Sequence, residues 1–277
     1  MAEDINKELE EQNEITSENK KKDEKKKKAS GSKKSSVYSK NSENNLINNN
    51  IIRIILSTIA LTAFAILLRF FPLQLPGIPS IFAVDFSVFP ELLASIAYGP
   101  VIGIIVCLLK SVIHTAISNN SFAPDISNFL INGVFVATAG LFYINSVAKS
   151  GKAEAKEISY AKRGKLVFIS SMFAMIPSLI VQFFITNYYV FPALAKEYPQ
   201  YYSHEIVFSS YVTTLAVIRD HLPEALQGLV VKISEIWQGI ILINFPITFL
   251  KTLIITIIIS LAYPVMSPYM HFRKESK

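Results

Sequence analysis

The sequence predicts an all-α integral membrane protein built as a bundle of six transmembrane helices. Of its 277 residues 51% are hydrophobic and only 17% are charged, which is too apolar a balance for an ordinary soluble domain. The apolar residues fall into about six runs that lack the alternating polarity of barrel strands. Two of these runs hold a lysine in the middle, Lys110 and Lys251. A lone ammonium inside a span is costly, so it indicates a polar site between helices.

The first fifty residues have a different composition from the rest. They are rich in Lys and Asn, with Glu and Ser, and contain few apolar side chains. Such a segment cannot bury a core, so residues 1–50 are expected to form a disordered cytoplasmic tail. The apolar run that follows is too long for the core of a signal peptide and no small-residue cleavage site ends it.

The membrane domain is predicted to cover residues 51–265, followed by a cytoplasmic tail of 266–277. Its six segments are 51–71, 88–98, 101–118, 126–144, 166–190 and 240–263. The second is short and stops at Gly99-Pro100, and the last is expected to end at Pro264 and Pro268. The long connection between the last two segments mixes apolar and polar residues at helical spacing. We expect amphipathic interfacial helices there.

Positive charge marks the cytoplasmic side. Lysine and arginine are concentrated in the connection between the fourth and fifth segments and in both tails. With six spans these three regions lie on one side, so both termini are predicted to be cytoplasmic in a multi-pass protein of the cell membrane. The net charge of +6 does not indicate nucleic acid, because no basic patch with interleaved aromatic residues occurs outside the tail. Membrane lipids are the expected counterpart.

Polar side chains recur inside the predicted spans. Lys110 and His114 are four residues apart and share a helix face. Asp125 and Asn128 open the fourth segment, where Asp125 is expected to cap the helix. Hydrogen bonding between helices would also explain such residues.

A second polar set lies on the last segment. Asn244, Thr248 and Lys251 are about one turn apart and lie along one helix face. Together they could hydrogen-bond the carbonyl and imide groups of a polar ligand. For Lys251 a ligand role is favoured over a purely structural one, because a lysine is a costly way to hold helices together.

Enzymatic motifs are scarce. The sequence has no nucleophile elbow, no H-E-x-x-H, no Gly-rich phosphate loop and a single cysteine. No catalytic residue and no metal ligand is therefore predicted. Two alternatives remain: a membrane enzyme acting on a lipid, for which Glu91, Asp85 and Asp125 are the nearest approach to a metal site, and a structural or interaction protein.

The order of several short motifs resembles a known family, the riboflavin-specific substrate-binding (S) component of energy-coupling factor (ECF) vitamin transporters. A Pro-rich loop leads into D-x-S-x-x-P-x-L, then G-P-x-x-G, then a lysine in an apolar helix: Asp85, Ser87, Pro90, Leu92, Gly99, Pro100, Gly103 and Lys110. DISNFLING at 125–133, TNYYVFP at 186–192 and PITFLK at 246–251 are similar to the family's later motifs. The resemblance covers about residues 51–265.

This resemblance implies a subunit that captures riboflavin, or FMN, from the external side. It has no cofactor of its own and docks on a transmembrane coupling subunit with two cytosolic ATPases that hydrolyse ATP. Combined with the polar residues above, the predicted substrate-binding set is Lys251, Thr248, Asn187, Asn244, Asn128, Lys110 and Asp85. Because Thr248 stands where the family has asparagine, a different vitamin or cofactor precursor is an alternative ligand.

Three further expectations follow from the resemblance. Small residues on the first helix are the candidates for partner docking: Thr58, Thr62, Ala60 and Ala63. Phe86, Phe89 and Tyr188 are candidate walls for a fused-ring ligand. The Pro-rich first loop is expected to gate entry.

Overall fold

The computed structural model describes residues 51–73, 84–118, 121–150, 158–228 and 232–270. The predicted N-terminal tail and most of the Pro-rich first loop lie outside these ranges, and so do residues 271–277. The chain divides into two units, 1–54 and 55–277, and the core and the cavities described below belong to the second.

The described residues are almost entirely helical, which confirms the all-α prediction. The helices are α1 (Ile51–Phe70), α2 (Val88–Tyr98), α3 (Pro100–Ser118), α4 (Phe122–Lys149), α5 (Tyr160–Ile185), α6 (Phe191–Glu197), α7 (Pro199–Tyr202), α8 (His204–Asp220), α9 (Glu224–Gln227), α10 (Ile236–Gly239) and α11 (Phe245–Met270). The five-residue π-helices Thr186–Val190 and Ile240–Asn244 join α5 to α6 and α10 to α11. Extended pairing in these ranges is limited to one bridge between Leu73 and Val84.

Within the described ranges five helical stretches are long and apolar enough to cross a bilayer, those that contain α1, α3, α4, α5 and α11. The remaining predicted segment is α2, which has the predicted bounds but only 11 residues. A helix of that length is shorter than a full crossing. It is instead a central element, because nine of its side chains are buried among the other helices.

The short helix α2 is fixed at its end by Gly99. This residue has a φ of +101°, a conformation that glycine adopts without the steric cost of a Cβ atom. Its N–H closes the helix on the carbonyl of Ser95, and Pro100 then starts α3 at once. The tight corner brings α3 back along α2, and α4, α5 and α11 complete a core around Leu92, Phe135 and Tyr263.

Two predicted helix ends are wrong. Helix α4 begins at Phe122, capped by the hydroxyl of Ser121, so Asp125 lies one turn inside it and does not cap it. Helix α11 continues through Pro264 and Pro268 to Met270, past the expected stop. A proline removes one backbone hydrogen bond, but ending the helix in an apolar surrounding would leave several backbone groups unsatisfied.

The long connection between α5 and α11 contains helices, as predicted. The longest, α8, buries one face, with Val207, Tyr211 and Leu215 inside. The ring of Tyr211 lies so close to Gly239 that a Cβ atom there would meet it at 2.4 Å. Glycine at 239 thus lets α8 pack tightly against α10, which positions the Tyr211 hydroxyl for the site described next.

Candidate functional site

A cavity of about 290 Å³, called the central cavity because five helical segments surround it, lies towards one end of the helix bundle. Its walls come from the end of α1, the residues before α2, the start of α4, the end of α5 with α6, and the start of α11. The polar residues that line it are Arg69, Asp85, Ser127, Asn128, Asn132, Gln182, Thr186, Tyr202, Asn244, Thr248 and Lys251. Five members of the predicted substrate-binding set are therefore together: Asp85, Asn128, Asn244, Thr248 and Lys251.

The α11 wall carries the polar stripe that the sequence predicts. Asn244, the last residue of the π-helix that leads into α11, lines the cavity one turn before Thr248, and Lys251 lines it about one turn further on. Within the described part of the chain Lys251 forms no hydrogen bond and no ion pair within 4 Å. A cationic group at a cavity wall without a protein partner is a ready donor for a ligand's oxygen or nitrogen acceptors.

Two residues outside the predicted set hold this stripe in place. The Tyr211 hydroxyl donates to Asn244 Oδ1 at 2.9 Å, which leaves the Asn244 amide nitrogen to donate elsewhere. Gln182 of α5 donates from Nε2 to the Thr248 hydroxyl at 2.8 Å. Each bond ties the side chain on α11 to a neighbouring helix, so the wall is ordered without a ligand.

A charged junction forms another part of the wall. Arg69, from the end of α1, donates to Asp85 at 3.1 Å and to Asp125 at 3.0 Å. Burial of Asp85 by itself would raise its pKa, but the nearby positive charges, chiefly Lys110 and Arg69, outweigh it and hold the pKa of this carboxyl below its ordinary value. Asp125 also accepts from Thr115 at 2.7 Å and lies 2.8 Å from His114 Nδ1.

Lys110 lies behind the cavity and not on its wall. Its side chain is fully buried and forms an ion pair with Glu91, with the ammonium 2.5 Å from Oε1. It also donates to the Ser87 hydroxyl at 2.9 Å and to Asn128 Oδ1. The Asn128 amide nitrogen in turn donates to Asp85 at 3.0 Å. Lys110 therefore orients an amide of the cavity wall and does not line this cavity itself.

Asn187 lies in a different place from the other predicted residues. It lines a second cavity of about 360 Å³, together with Trp237, His204 and Glu235. Phe191 and Tyr202 belong to the walls of both cavities, so the two are neighbours. Of the predicted ring walls, Phe86 and Phe89 pack against the core and Tyr188 is largely exposed.

The first helix turns only part of its small-residue stripe outward. Thr58 and Thr62 are buried, with 9% and 5% of their surface exposed, whereas Ala60 and Ala63 are exposed. The side chains around them on the outer face are large and apolar, including Leu56, Ile59 and Leu67. Only the two alanines of the predicted set are therefore accessible from outside this unit.

The comparison with protein-family models gives one decisive match. Residues 52–263 match the model of the ECF transporter, substrate-specific component. The chain belongs to this family. The match includes most of the helical region described above, which runs from Ile51 to Met270.

Relatives of this ECF substrate-specific component are named riboflavin transporters. RibU of Staphylococcus aureus (strain TCH60) is 31% identical over 117 residues, which is 42% of this chain and 62% of the relative. FmnP of Bacillus subtilis (strain 168) is 32% identical over 93 residues, 32% of this chain and 48% of the relative. The chain thus spans less than two thirds of the length of either.

A solved structure of the S component of a bacterial ECF transporter is also similar. It is 22% identical and superposes with a TM-score of 0.44, covering 81% of this chain and 99% of the other.

The carboxylates considered for a metal site do not come together in this ECF component. Glu91 pairs with Lys110, while Asp85 and Asp125 share Arg69. No group of three His, Cys, Asp or Glu side chains with metal-binding geometry occurs in the ranges that the structure describes. Each of these acidic groups instead neutralises a neighbouring cation.

Sequence reasoning missed Arg69, Gln182, Asn132 and Tyr211 in this ECF component. Gln182 carries the clearest signal, an amide in the middle of an apolar span. Arg69 sits near the end of a span, where a charge is ordinary. Tyr211 belongs to the amphipathic connection, and only the fold brings its hydroxyl to Asn244.

Proposed function

We propose that this chain binds riboflavin in the central cavity and delivers it to an ATP-driven ECF importer as the substrate-binding subunit. The observation that carries the proposal is the Lys251 ammonium, which lines the cavity and has no partner within the described residues. The two relatives named riboflavin transporters favour the same ligand.

The chemistry of the cavity suits a flavin. The isoalloxazine ring offers carbonyl oxygens and ring nitrogens along one polar edge and apolar faces above and below. Lys251 and the Asn244 amide nitrogen supply donors for such an edge, and Phe191, Tyr202 and Ile247 supply apolar or aromatic wall. Polar groups that fix the orientation of a ligand beside apolar and aromatic walls are typical of sites for small molecules.

Riboflavin is the first choice and FMN the alternative. The central cavity is at the small end of the usual range for ligand sites, and the second cavity beside it provides further room. The second cationic side chain that lines the cavity, Arg69, forms ion pairs with Asp85 and Asp125. The phosphate of FMN would have to compete with these two carboxylates for Arg69. A neutral ligand needs no such exchange.

The direction of uptake follows from charge. Lys149, Lys162 and Lys165 lie at the ends of α4 and α5 that face away from the cavity. If this positive end is cytoplasmic, the cavity opens to the outside and both termini are cytoplasmic. The Pro-rich first loop, expected from the sequence to gate entry, lies mostly outside the described residues, and Val84 at its end lines the cavity.

Riboflavin titration of the purified protein in detergent tests the ligand. Quenching of flavin fluorescence gives the affinity, and Lys251→Ala is expected to weaken it at least tenfold, because a charge-assisted hydrogen bond contributes about 1.5–3 kcal/mol. Lys149→Ala is the control, since Lys149 is exposed at the far end of α4. Absence of riboflavin binding by the unaltered protein, or unchanged affinity in Lys251→Ala, would contradict the proposal.

The coupling subunit, with its two cytosolic ATPases, is proposed to dock on the outer face of α1 around Ala60 and Ala63. Small side chains let two helices approach closely in lipid. Ala60→Trp should reduce co-purification with the coupling subunit and leave riboflavin affinity unchanged. Leu141→Trp, at an exposed position of α4, serves as the control for a bulky lipid-facing residue. Equal loss in both variants would remove α1 as the docking face.

A further inference from the structure

Gln182 is a buried amide in the wall of the central cavity. It lies near the end of α5, with 8% of its surface exposed, and it lines the cavity beside Thr248. Its Nε2 donates to the Thr248 hydroxyl at 2.8 Å. Its Oε1 has no hydrogen-bond partner within the described part of the chain. An unsatisfied buried acceptor is unfavourable, so such a group is explained when a ligand satisfies it.

We propose that Gln182 determines ligand specificity by accepting a hydrogen bond from a ring N–H of the bound ligand. The inference rests on the proposed function, because it states which edge of the flavin ring system hydrogen-bonds to the cavity wall. A flavin has one ring N–H donor, the imide N3–H, which lies between two carbonyl groups. Gln182 would accept from N3–H while Lys251 donates to the neighbouring carbonyl oxygen.

The arrangement of the two helices supports this pairing. Thr248, which holds Gln182, precedes Lys251 by about one turn on α11, so the carboxamide and the ammonium are neighbours along one wall. An acceptor beside a donor complements an imide, in which N–H lies beside C=O. The terminal torsion of glutamine is soft, so a small rotation brings Oε1 to the ligand without moving the helix.

Other amides of the wall are committed differently. The oxygen of Asn244 already accepts from the Tyr211 hydroxyl, so this side chain offers a donor. Asn128 and Asn132 are linked to each other at 3.0 Å on α4, away from the α11 stripe. Gln182 is the buried amide acceptor bound directly to that stripe.

The test compares riboflavin with 3-methylriboflavin, which lacks the N3–H donor. The unaltered protein should bind the methylated ligand about tenfold more weakly or worse, the loss expected for a buried hydrogen bond left unmade. Gln182→Met should bind riboflavin about tenfold more weakly and lose most of the preference between the two ligands. Methionine has a similar length, so a purely steric exclusion of the methyl group would persist in this variant.

Ser178→Ala is the matched control, because it removes another buried polar side chain of α5, one turn before Gln182, which does not line the cavity. It should keep the preference for riboflavin. Equal binding of both ligands by the unaltered protein, an undiminished preference in Gln182→Met, or a preference abolished by Ser178→Ala would each overturn the role of Gln182. The comparison in the unaltered protein needs no variant to fold. If that protein binds neither ligand, the proposed function fails instead.

Discussion

Lys110 and Lys251 look alike in the sequence but have opposite surroundings in the structure. Both occur in the middle of an apolar run. Lys110 is enclosed by Glu91, Ser87 and Asn128 and does not line the central cavity. Lys251 lines the cavity and has no partner within the described residues. The difference shows two ways in which a protein can accommodate a charged side chain inside a helix bundle. The charge either pairs with a carboxylate of the protein or faces a cavity in which a ligand can bind.

Among the substitutions that test this comparison, replacement of Lys110 should have the largest effect on stability. Lys110→Met leaves the Glu91 carboxylate buried without its cation, which costs about 3–5 kcal/mol of stability. We expect a much lower thermal midpoint in detergent or loss of monodisperse protein on size-exclusion chromatography. Lys110→Met combined with Glu91→Leu should recover most of the stability, because no uncompensated charge remains.

Lys251→Met completes that comparison. It leaves no carboxylate without an ion-pair partner, so the ligand-free thermal midpoint should stay the same or rise, while the stabilisation by riboflavin is lost. If Lys251→Met destabilised the empty protein as much as Lys110→Met does, the distinction between the two lysines would be wrong.

Replacement of Arg69 should have an intermediate effect on stability, because its side chain both lines the cavity and pairs with carboxylates. It lines the cavity and donates to Asp85 and Asp125, and its side chain is 16% exposed. Arg69→Gln should lower stability by about 2 kcal/mol, since bonds to charged groups contribute about 1.5–3 kcal/mol and partial exposure reduces this. Chemical unfolding followed by tryptophan fluorescence measures it.

The control for Arg69 is Arg219, whose ion pair with Asp220 is exposed on both sides. Arg219→Gln should leave the unfolding midpoint unchanged, because exposed ion pairs contribute little. A similar loss in both variants would show that the junction at Asp85 and Asp125 contributes no more than a surface pair.

Thr248 should give the smallest effect. Thr248→Val removes the hydroxyl that holds Gln182 but keeps the size and shape of the side chain. Loss of one neutral hydrogen bond contributes about 1 kcal/mol, so riboflavin affinity should fall about fivefold. Thr248→Ser keeps the hydroxyl and should bind nearly as well as the unaltered protein. A hundredfold loss in Thr248→Val would mean that Thr248 itself bears the main contact.

The helical framework and the α11 stripe are the parts that sequence reasoning predicts. Apolar run lengths give the helices, and a spacing of about one turn places Asn244, Thr248 and Lys251 on one face. The ends of α4 and α11 differ from expectation because a loop serine caps the first, and the apolar surroundings carry the second past its prolines. Local residue preference does not contain that information.

The parts that sequence reasoning does not reach depend on contacts between distant segments. Arg69 reaches Asp125 across 56 positions of the chain, and Gln182 reaches Thr248 across 66. Lys110 is recognisable as a lysine inside an apolar run, but the sequence does not reveal whether its ammonium faces a carboxylate or a cavity. In the structure it faces a carboxylate, that of Glu91 on the neighbouring helix α2.

The two π-helices on either side of the cavity have a consequence for comparing this chain with its relatives. Thr186–Val190 and Ile240–Asn244 each fit an additional residue into a continuous helix. The wider turn absorbs that residue, so an alignment without a gap there shifts every later residue by one position, or about 100° around the helix axis. Where a homologue lacks such a turn, the correct alignment has a one-residue gap inside a membrane-embedded helix. Asn187 lies within the first of these π-helices. A motif match that runs through it without a gap can therefore align residues that face different directions in the two proteins.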